Sequence, residues 1–164
     1  SLAAGLGVTM CADLWSFALS IYARPGMEAA CLRLQAQGAD VCLMLCGVWL
    51  EQRGVILTDE RVQALKHIAG PWQTQVIEPL RQLRVQWRAS AQHDQPLAAL
   101  RERIKSMELE AERHLLMRLE GLAETWPSGK RADQQRWLER LAAEDAANLD
   151  HDALQQLRVA ATGA

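Results

Sequence analysis

Two rows of apolar residues at helical spacing constrain the fold of this chain more than any other feature. Neighbouring members of each row lie three or four positions apart, which places them on one face of an α-helix. The first row is Val62, Leu65, Ala69, Trp72, Val76, Leu80, Leu83 and Trp87. The second row is Leu97, Leu100, Ile104, Met107, Ala111, Leu115, Leu119, Leu122 and Trp126. Because only a polar turn over residues 90–95 separates them, the rows predict a long antiparallel helical hairpin over residues 58–126.

Two prolines interrupt the first arm of this hairpin. Pro71 and Pro79 each lack an N–H group to donate within a helix, and each ring clashes with the preceding turn. We therefore expect a kink or a break at each proline. The apolar row keeps its spacing through both positions, so the pieces on either side are predicted to face the same core as one bent arm.

Three shorter helices are predicted over residues 12–54. Pro25 is suited to the first turn of the second of these helices. Asp40 is suited to cap the third helix at its N-terminus, and Gly54 is suited to end it in the left-handed conformation. Residues 41–50 carry no charge, so the third helix is predicted to lie at the centre of the fold.

Short helices are predicted at the C-terminal end, over residues 133–162. Asp133 is suited to cap one of them, and Asp150 or Asp152 is suited to cap the last. Strand signals are nearly absent, because the chain has one Phe, one Tyr and no long alternation of apolar and polar residues. The sequence therefore predicts a single all-α domain over residues 1–164, with a compact N-terminal three-helix unit packed on the bent hairpin and short C-terminal helices.

The composition is typical of a globular protein, and the net charge is −2. The longest apolar run is about half the roughly 20 residues that a membrane-spanning helix needs, so no membrane span is expected. Residues 1–9 are small and apolar but contain no basic residue, so no secretory signal is expected. The cysteines lie among apolar neighbours, which is typical of reduced thiols in a core. They are Cys11, Cys31, Cys42 and Cys46.

Motifs of several common enzyme classes are absent from the sequence. It has no Gly-rich phosphate loop, no Gly-x-Ser-x-Gly nucleophile elbow and no Glu-x-x-His motif of di-iron bundles. Cys42 and Cys46 lie one helical turn apart, which leaves a redox pair as an alternative to core packing. The spacing of the cysteines fits no zinc site. We therefore expect no catalytic residue, no metal and no cofactor.

A one-sided run of arginines lies on the first arm. Arg81, Arg84 and Arg88 follow each other at helical spacing, and residues 79–93 contain no acidic residue. One interpretation is a face that docks phosphates or an acidic protein partner. The other is internal pairing with the glutamates of the second arm. The sequence leaves both interpretations open.

Glutamates are frequent on the second arm of the hairpin. Glu108 with Glu112, and Glu120 with Glu124, have the spacing that would let each pair bind a divalent cation. Basic residues alternate with them, and a hard cation usually collects more oxygen ligands in one place. The pattern therefore favours a solvent-exposed face over a cation site.

Six tryptophans are numerous for a chain of 164 residues. Each of them fits a helical apolar face, so packing in the core is the simpler interpretation. The alternative is a groove between helices lined by several indole rings, which would hold an apolar ligand or a helix of a partner.

The segment LWSFALSIYARPGMEAACLRLQ, from Leu14 to Gln35, together with residues 38–41 and 49–50, resembles a known family. It is similar to uncharacterised proteins of Pseudomonas-like and Vibrio-like proteobacteria, of about this length, that carry a domain of unknown function. The resemblance covers about residues 12–54 and implies a bacterial cytoplasmic protein, without assigning an activity. The candidate pocket residues among the matching positions are Trp15, Tyr22, Glu28, Gln35, Asp40 and Trp49.

These observations favour one function and leave two alternatives. The leading prediction is a non-catalytic binding or adaptor protein that uses a helical groove or the arginine face, with a protein partner or a homodimer formed through the hairpin. The first alternative is a small-molecule binder or enzyme with an apolar pocket lined by tryptophans. The second alternative, weak nucleic-acid binding through the arginine face, is the least favoured, since three arginines are few for a phosphate backbone.

Overall fold

The computed structural model of the chain describes residues 13–130, 136–142 and 150–162. The segment 1–9, Cys11 and Asp133, about which the sequence makes predictions, lie outside the described residues. Every regular element within the described residues is helical, so the predicted all-α fold is confirmed. No helix among them is long and apolar enough to cross a membrane.

Three helices form the N-terminal unit. They are α1, Leu14–Tyr22; α2, Met27–Ala36; and α3, Val41–Gln52. Pro25 lies in the turn before α2 rather than in its first turn, because Gly26 occupies the N-cap with a left-handed φ of 81°. Asp40 caps α3, and Gly54 follows its C-terminus with a φ of 66°, both as predicted. Residues 41–50 of α3 are all buried, as expected for the central helix.

The hairpin occupies the middle of the chain. Its elements are α4, Asp59–Trp72; a π-helical segment, Gln73–Ile77; α5, Glu78–Gln86; α6, Arg88–Ala91; and α7, Gln95–Ala123. Both α4 and α5 pack against α7, so the two arms are neighbours as predicted. Two shorter helices follow, α8, Trp137–Ala142, and α9, His151–Thr162. Among the described residues, α8 packs mainly on α3 and α9 mainly on α2.

The first arm continues through both prolines instead of breaking. Pro71 lies inside α4, and Pro79 is the second residue of α5, directly after the π-helical segment. A π-helical turn holds more residues than an α-helical turn, so it rotates the following residues around the axis. As a result Ile77, which is outside the predicted apolar row, is fully buried, whereas Val76 is only half-buried.

The second arm departs from its predicted apolar row near its middle. Leu115 and Leu119 are buried as predicted, but Leu100 and Met107 are 47% and 51% exposed. Glu108 is buried next to them, with 6% of its surface exposed. The prediction of a solvent-exposed glutamate face is therefore wrong at Glu108, because arginines of the first arm meet this carboxylate inside the hairpin.

The buried apolar side chains form one continuous cluster, to which the C-terminal helices contribute. Trp137 of α8 is fully buried and donates a hydrogen bond from its Nε1 to the carbonyl of Val55 at 2.8 Å. Its ring also stacks on Trp126, with ring centroids 6.2 Å apart. Arg158 of α9 forms ion pairs with Glu51 at 2.8 Å and with Glu139 at 2.6 Å. These contacts fix α8 and α9 to the central helix.

Candidate functional site

A cleft of about 550 Å³ opens beside the N-terminus of α3, and we call it the polar cleft. Its walls come from the turn between α2 and α3, from α4, from the π-helical segment and from α5. Its polar lining residues are Gln35, Asp40, Gln63, Lys66, Gln73, Thr74, Glu78 and Arg81. Its larger apolar lining residues are Leu43 and Leu141. This volume is within the range of small-molecule sites.

Asp40 and Gln73 form the hydrogen-bonded centre of the polar cleft. The Asp40 carboxylate accepts one bond from the backbone N–H of Leu43 at 3.0 Å and another from Gln73 Nε2 at 2.9 Å. The first bond caps α3 and so fixes the carboxylate in the cleft wall. Gln73 begins the π-helical segment, and such distortions are frequent at functional sites. The irregular turn thus supplies a partner for the capping carboxylate.

Arg81 connects the polar cleft with the interior of the hairpin. It lines the cleft, and its Nε lies 3.3 Å from an oxygen of Glu108. The side-chain oxygen of Gln35, in the amide orientation that satisfies both ends of the group, accepts hydrogen bonds from the Arg81 guanidinium. Gln35, predicted as a pocket residue, and Arg81, predicted as part of the arginine face, are therefore in direct contact.

Glu108 is the centre of a group of charges beneath the polar cleft. Arg84 donates two hydrogen bonds to it, from Nε at 2.6 Å and from Nη2 at 3.3 Å. Arg81 pairs with Glu108 and also lies 4.0 Å from Glu112. We call Arg81, Arg84, Glu108 and Glu112 the hairpin charge cluster. Internal pairing, one of the two interpretations of the arginine run, is thus what the structure shows for Arg81 and Arg84.

Carboxylates outnumber guanidinium groups where the hairpin charge cluster meets the polar cleft. Among the described residues, Arg81 and Arg84 are the arginines that interact with the three carboxylates Asp40, Glu108 and Glu112. Burial and repulsion from Glu108 raise the pKa of Glu112 to about 7. Burial raises the pKa of Asp40 to about 6, although the hydrogen bonds that it accepts oppose this change. Both carboxyl groups therefore titrate close to neutral pH.

These raised pKa values predict that the free energy of unfolding falls as the pH rises from 4.5 to about 7. In this range the folded chain binds more protons than the unfolded chain, because Asp40 and Glu112 lose their protons at a lower pH in the unfolded state than in the folded state. Glu112→Gln should make the free energy of unfolding less dependent on pH in this range, since the amide does not titrate. Urea unfolding at a series of pH values measures both slopes. Glu110→Gln, at an exposed position, is the matched control.

A flat stability profile for the wild-type chain between pH 4.5 and about 7 would contradict this prediction. So would an unchanged slope in Glu112→Gln. Carboxylates with lowered pKa values do not interfere in this range. Asp13 and Asp150 are of this kind, because backbone hydrogen bonds lower the pKa of each below 3.8, and they affect stability at lower pH.

The thiols behind the hairpin charge cluster are buried. Cys31, Cys42 and Cys46 are each exposed by 5% or less, which confirms the core interpretation for these three. Burial raises the pKa of Cys31 to about 11, although a hydrogen bond with Tyr22 opposes the change. Burial also raises the pKa values of Cys42 and Cys46. Because the thiolate is the reactive form, this environment does not favour a redox pair.

Two tryptophans predicted as pocket walls lie outside the polar cleft, each under an arginine. Trp15 lines a separate cavity of about 250 Å³, with the guanidinium of Arg113 at 5.3 Å from its ring centroid. Trp49 is buried, with the guanidinium of Arg53 at 4.5 Å. Cation–π contacts of this kind cover the face of each indole ring. The lining of the polar cleft contains no tryptophan.

Glu28 and Arg88 are exposed and also lie outside the polar cleft. Glu28 is in the first turn of α2, where a negative charge stabilises the helix N-terminus. Arg88 begins α6 near the distal end of the hairpin. It is the exposed member of the arginine run, whereas Arg81 and Arg84 are partly buried.

Gln73, Glu108 and Glu112 make contacts that hold the site together, but the sequence predicts none of them as a pocket residue. A signal for the glutamates exists, because residues 79–93 hold Arg81 and Arg84 at helical spacing without any acidic residue and precede a helix with a pair of glutamates at the same kind of spacing. No comparable signal exists for Gln73. Its position depends on the π-helical segment, which the regular spacing of apolar residues does not reveal.

The chemistry of the polar cleft is suited to binding. Its lining provides amides, both signs of charge and one hydroxyl, that of Thr74, which donates to the carbonyl of Gly70 at 3.2 Å. In the part of the chain that the structure describes, no three His, Cys, Asp or Glu side chains are arranged to hold a metal ion.

The fold and the site define an all-helical protein with a polar cleft above a buried charge cluster. The chain belongs to the family described as protein of unknown function DUF2390, whose model matches residues 13–119. This range contains the hairpin charge cluster and all the polar lining residues of the cleft. No curated protein and no solved structure gives a significant match to the chain.

Proposed function

We propose that this chain is a non-catalytic binding protein of the bacterial cytoplasm that holds a small polar molecule in the polar cleft. The observation that carries the proposal is the convergence of hydrogen-bonding side chains from four segments on one cavity. They are Gln35 from α2, Asp40 before α3, Gln73 from the π-helical segment and Arg81 from α5. A concave surface with a few convergent polar groups is the usual form of a small-molecule site.

The polar cleft is also organised before a ligand arrives. Asp40 is held by Leu43 and Gln73, and Arg81 is held by Gln35 and Glu108. Side chains already fixed in place lose little conformational entropy when a ligand binds, which favours affinity. The absence of a recognised catalytic motif in the sequence supports binding rather than catalysis.

A nuclear magnetic resonance screen of the ¹⁵N-labelled chain tests the proposal. The probes are sugars, nucleosides, organic acids, amines and amino acids, each added at millimolar concentration. We expect at least one class to shift the backbone signals of Gly38 and Gly70 and the side-chain amide signals of Gln35 and Gln73, which line the cleft. Shifts confined to sites outside the cleft, such as Gly121, or no shifts with any class, would contradict the proposal.

The distal end of the hairpin supports a second candidate function, self-association of the chain. Val85 and Leu100 are exposed by 59% and 47%, although both belong to the hairpin arms, and Arg88, three positions after Val85, is also exposed. Sedimentation of the chain should then show a dimer that Leu100→Glu converts to a monomer. A wild-type chain that is monomeric at all concentrations would contradict self-association. Lysate pull-downs that depend on Arg88 would then favour a different protein partner.

A further inference from the structure

Charged side chains of both signs line the polar cleft. Asp40 and Glu78 provide carboxylates, and Lys66 and Arg81 provide cations. Arg81 is close enough to Asp40 to interact with it electrostatically. Opposite charges therefore face the same part of the cavity, next to the amides of Gln35 and Gln73.

This distribution disfavours a ligand with one sign of charge. An anion would enter a region in which Asp40, Glu108 and Glu112 already outnumber the nearby guanidinium groups. A cation without an anionic group would lie beside Arg81 and Lys66. A molecule with both charges a few bonds apart complements both sides, since specificity follows from matched charge and the exclusion of mismatched charge.

We propose that the ligand of the polar cleft is a zwitterion of the α-amino-acid class. Its ammonium group donates to the Asp40 carboxylate and to the amide oxygen of Gln73. Its carboxylate accepts from the guanidinium of Arg81 and from the amide N–H of Gln35. Its side chain lies toward the apolar wall of the cleft. This inference rests on the proposed function, because it assigns a ligand class to the same cavity.

Isothermal titration calorimetry with the common L-amino acids tests this ligand class. The best-binding amino acid is then compared with the matching amine, which lacks the carboxylate, and with the matching acid, which lacks the ammonium group. We expect each half-molecule to bind at least about tenfold more weakly than the amino acid, a difference of about 1.4 kcal/mol.

Variants of the cleft provide the second arm of the experiment. Asp40→Asn keeps a good N-cap for α3, and Arg81→Lys keeps the positive charge beside Glu108, so both variants retain the groups that the fold needs. Each should weaken amino-acid binding by at least about tenfold. Asp40→Asn removes the charge that strengthens the hydrogen bond from the ligand's ammonium group, and Arg81→Lys removes the two-pronged hydrogen bonding of a guanidinium group to a carboxylate. Arg103→Gln, at an exposed position outside the cleft, is the matched control and should bind as the wild type does.

The outcomes separate this inference from the proposed function. If an amine, an acid or a sugar shifts the cleft signals in the screen and no amino acid binds, the zwitterion proposal is overturned and the proposed function stands. Amino-acid binding that both cleft variants leave unchanged also overturns the inference. If no probe of any class shifts the cleft signals, both proposals fail.

Discussion

Glu108→Ala is expected to lower the free energy of unfolding by about 3 kcal/mol, near the lower end of the range for breaking a buried ion pair. The alanine leaves Arg84 without the carboxylate that accepts two of its hydrogen bonds, and it removes the nearer carboxylate partner of Arg81. Both arginine side chains are already 23% exposed in the wild-type chain, so water offsets part of the loss. Urea denaturation of the purified variant measures this change.

Glu102→Ala is the matched control for this substitution. Glu102 lies on the same helix and pairs with Lys105 at 3.4 Å, but both side chains are exposed. Exposed pairs contribute about 0.2 to 1 kcal/mol, so the control should lose less than about 1 kcal/mol. Equal losses for the two variants would show that Glu108 does not hold the two arms together.

Trp137→Ala is expected to cost about 3 to 5 kcal/mol, the range for removing a large aromatic side chain from a core. Trp137 is fully buried, bonds to the carbonyl of Val55 and stacks on Trp126. The alanine would leave a cavity between α8 and α3. Thermal or urea unfolding followed by circular dichroism measures the loss, and the wild-type chain serves as the reference.

Trp137→Phe separates packing from hydrogen bonding at this position. The phenyl ring keeps most of the buried surface but cannot donate to Val55, so this variant should lose about 1 to 3 kcal/mol, the cost of an unsatisfied buried carbonyl. We therefore expect a smaller loss than with alanine. An alanine variant that is as stable as the wild type would contradict the docking of α8 described above.

Most of the helices could be predicted because local rules and burial agree along them. Asp40 and Gly54 have the residue types that start and end helices, and the uncharged stretch 41–50 between them could only lie inside the fold. The same agreement holds for Leu115 and Leu119, which are apolar and buried. At these positions the sequence of a single helix is enough to predict which residues cap it and which are buried.

The hairpin interior could not be predicted residue by residue, because it depends on how one arm is rotated against the other. The π-helical segment turns α5 relative to α4, so Ile77 rather than Val76 is fully buried. Apolar spacing alone placed Met107 in the seam, but the structure buries Glu108 instead. A buried carboxylate is stable there only because arginines of the first arm pair with it. This pairing depends on both helices together and not on the sequence of either one alone.

The candidate site was predictable in part and for the same reason. The sequence predicts Gln35 and Asp40 as pocket residues and Arg81 as part of the arginine face, but that Arg81 contacts Gln35 and lies near Asp40 depends on how α5 is placed relative to the start of α3. Gln73 could not be recognised, since its role follows from the irregular turn. Site residues that regular helices position are therefore easier to predict from the sequence than site residues that an irregular segment positions.

The coupling between Arg84 and Glu108 tests most directly whether a buried charge cluster supports the polar cleft. A double-mutant cycle compares Arg84→Met, Glu108→Met and the double variant with the wild type by urea denaturation. The bond of 2.6 Å between partly buried charged groups predicts a coupling free energy of about 1.5 to 3 kcal/mol, with the double variant more stable than the sum of the single losses implies. Losses that add within about 0.5 kcal/mol would show that the two side chains do not interact.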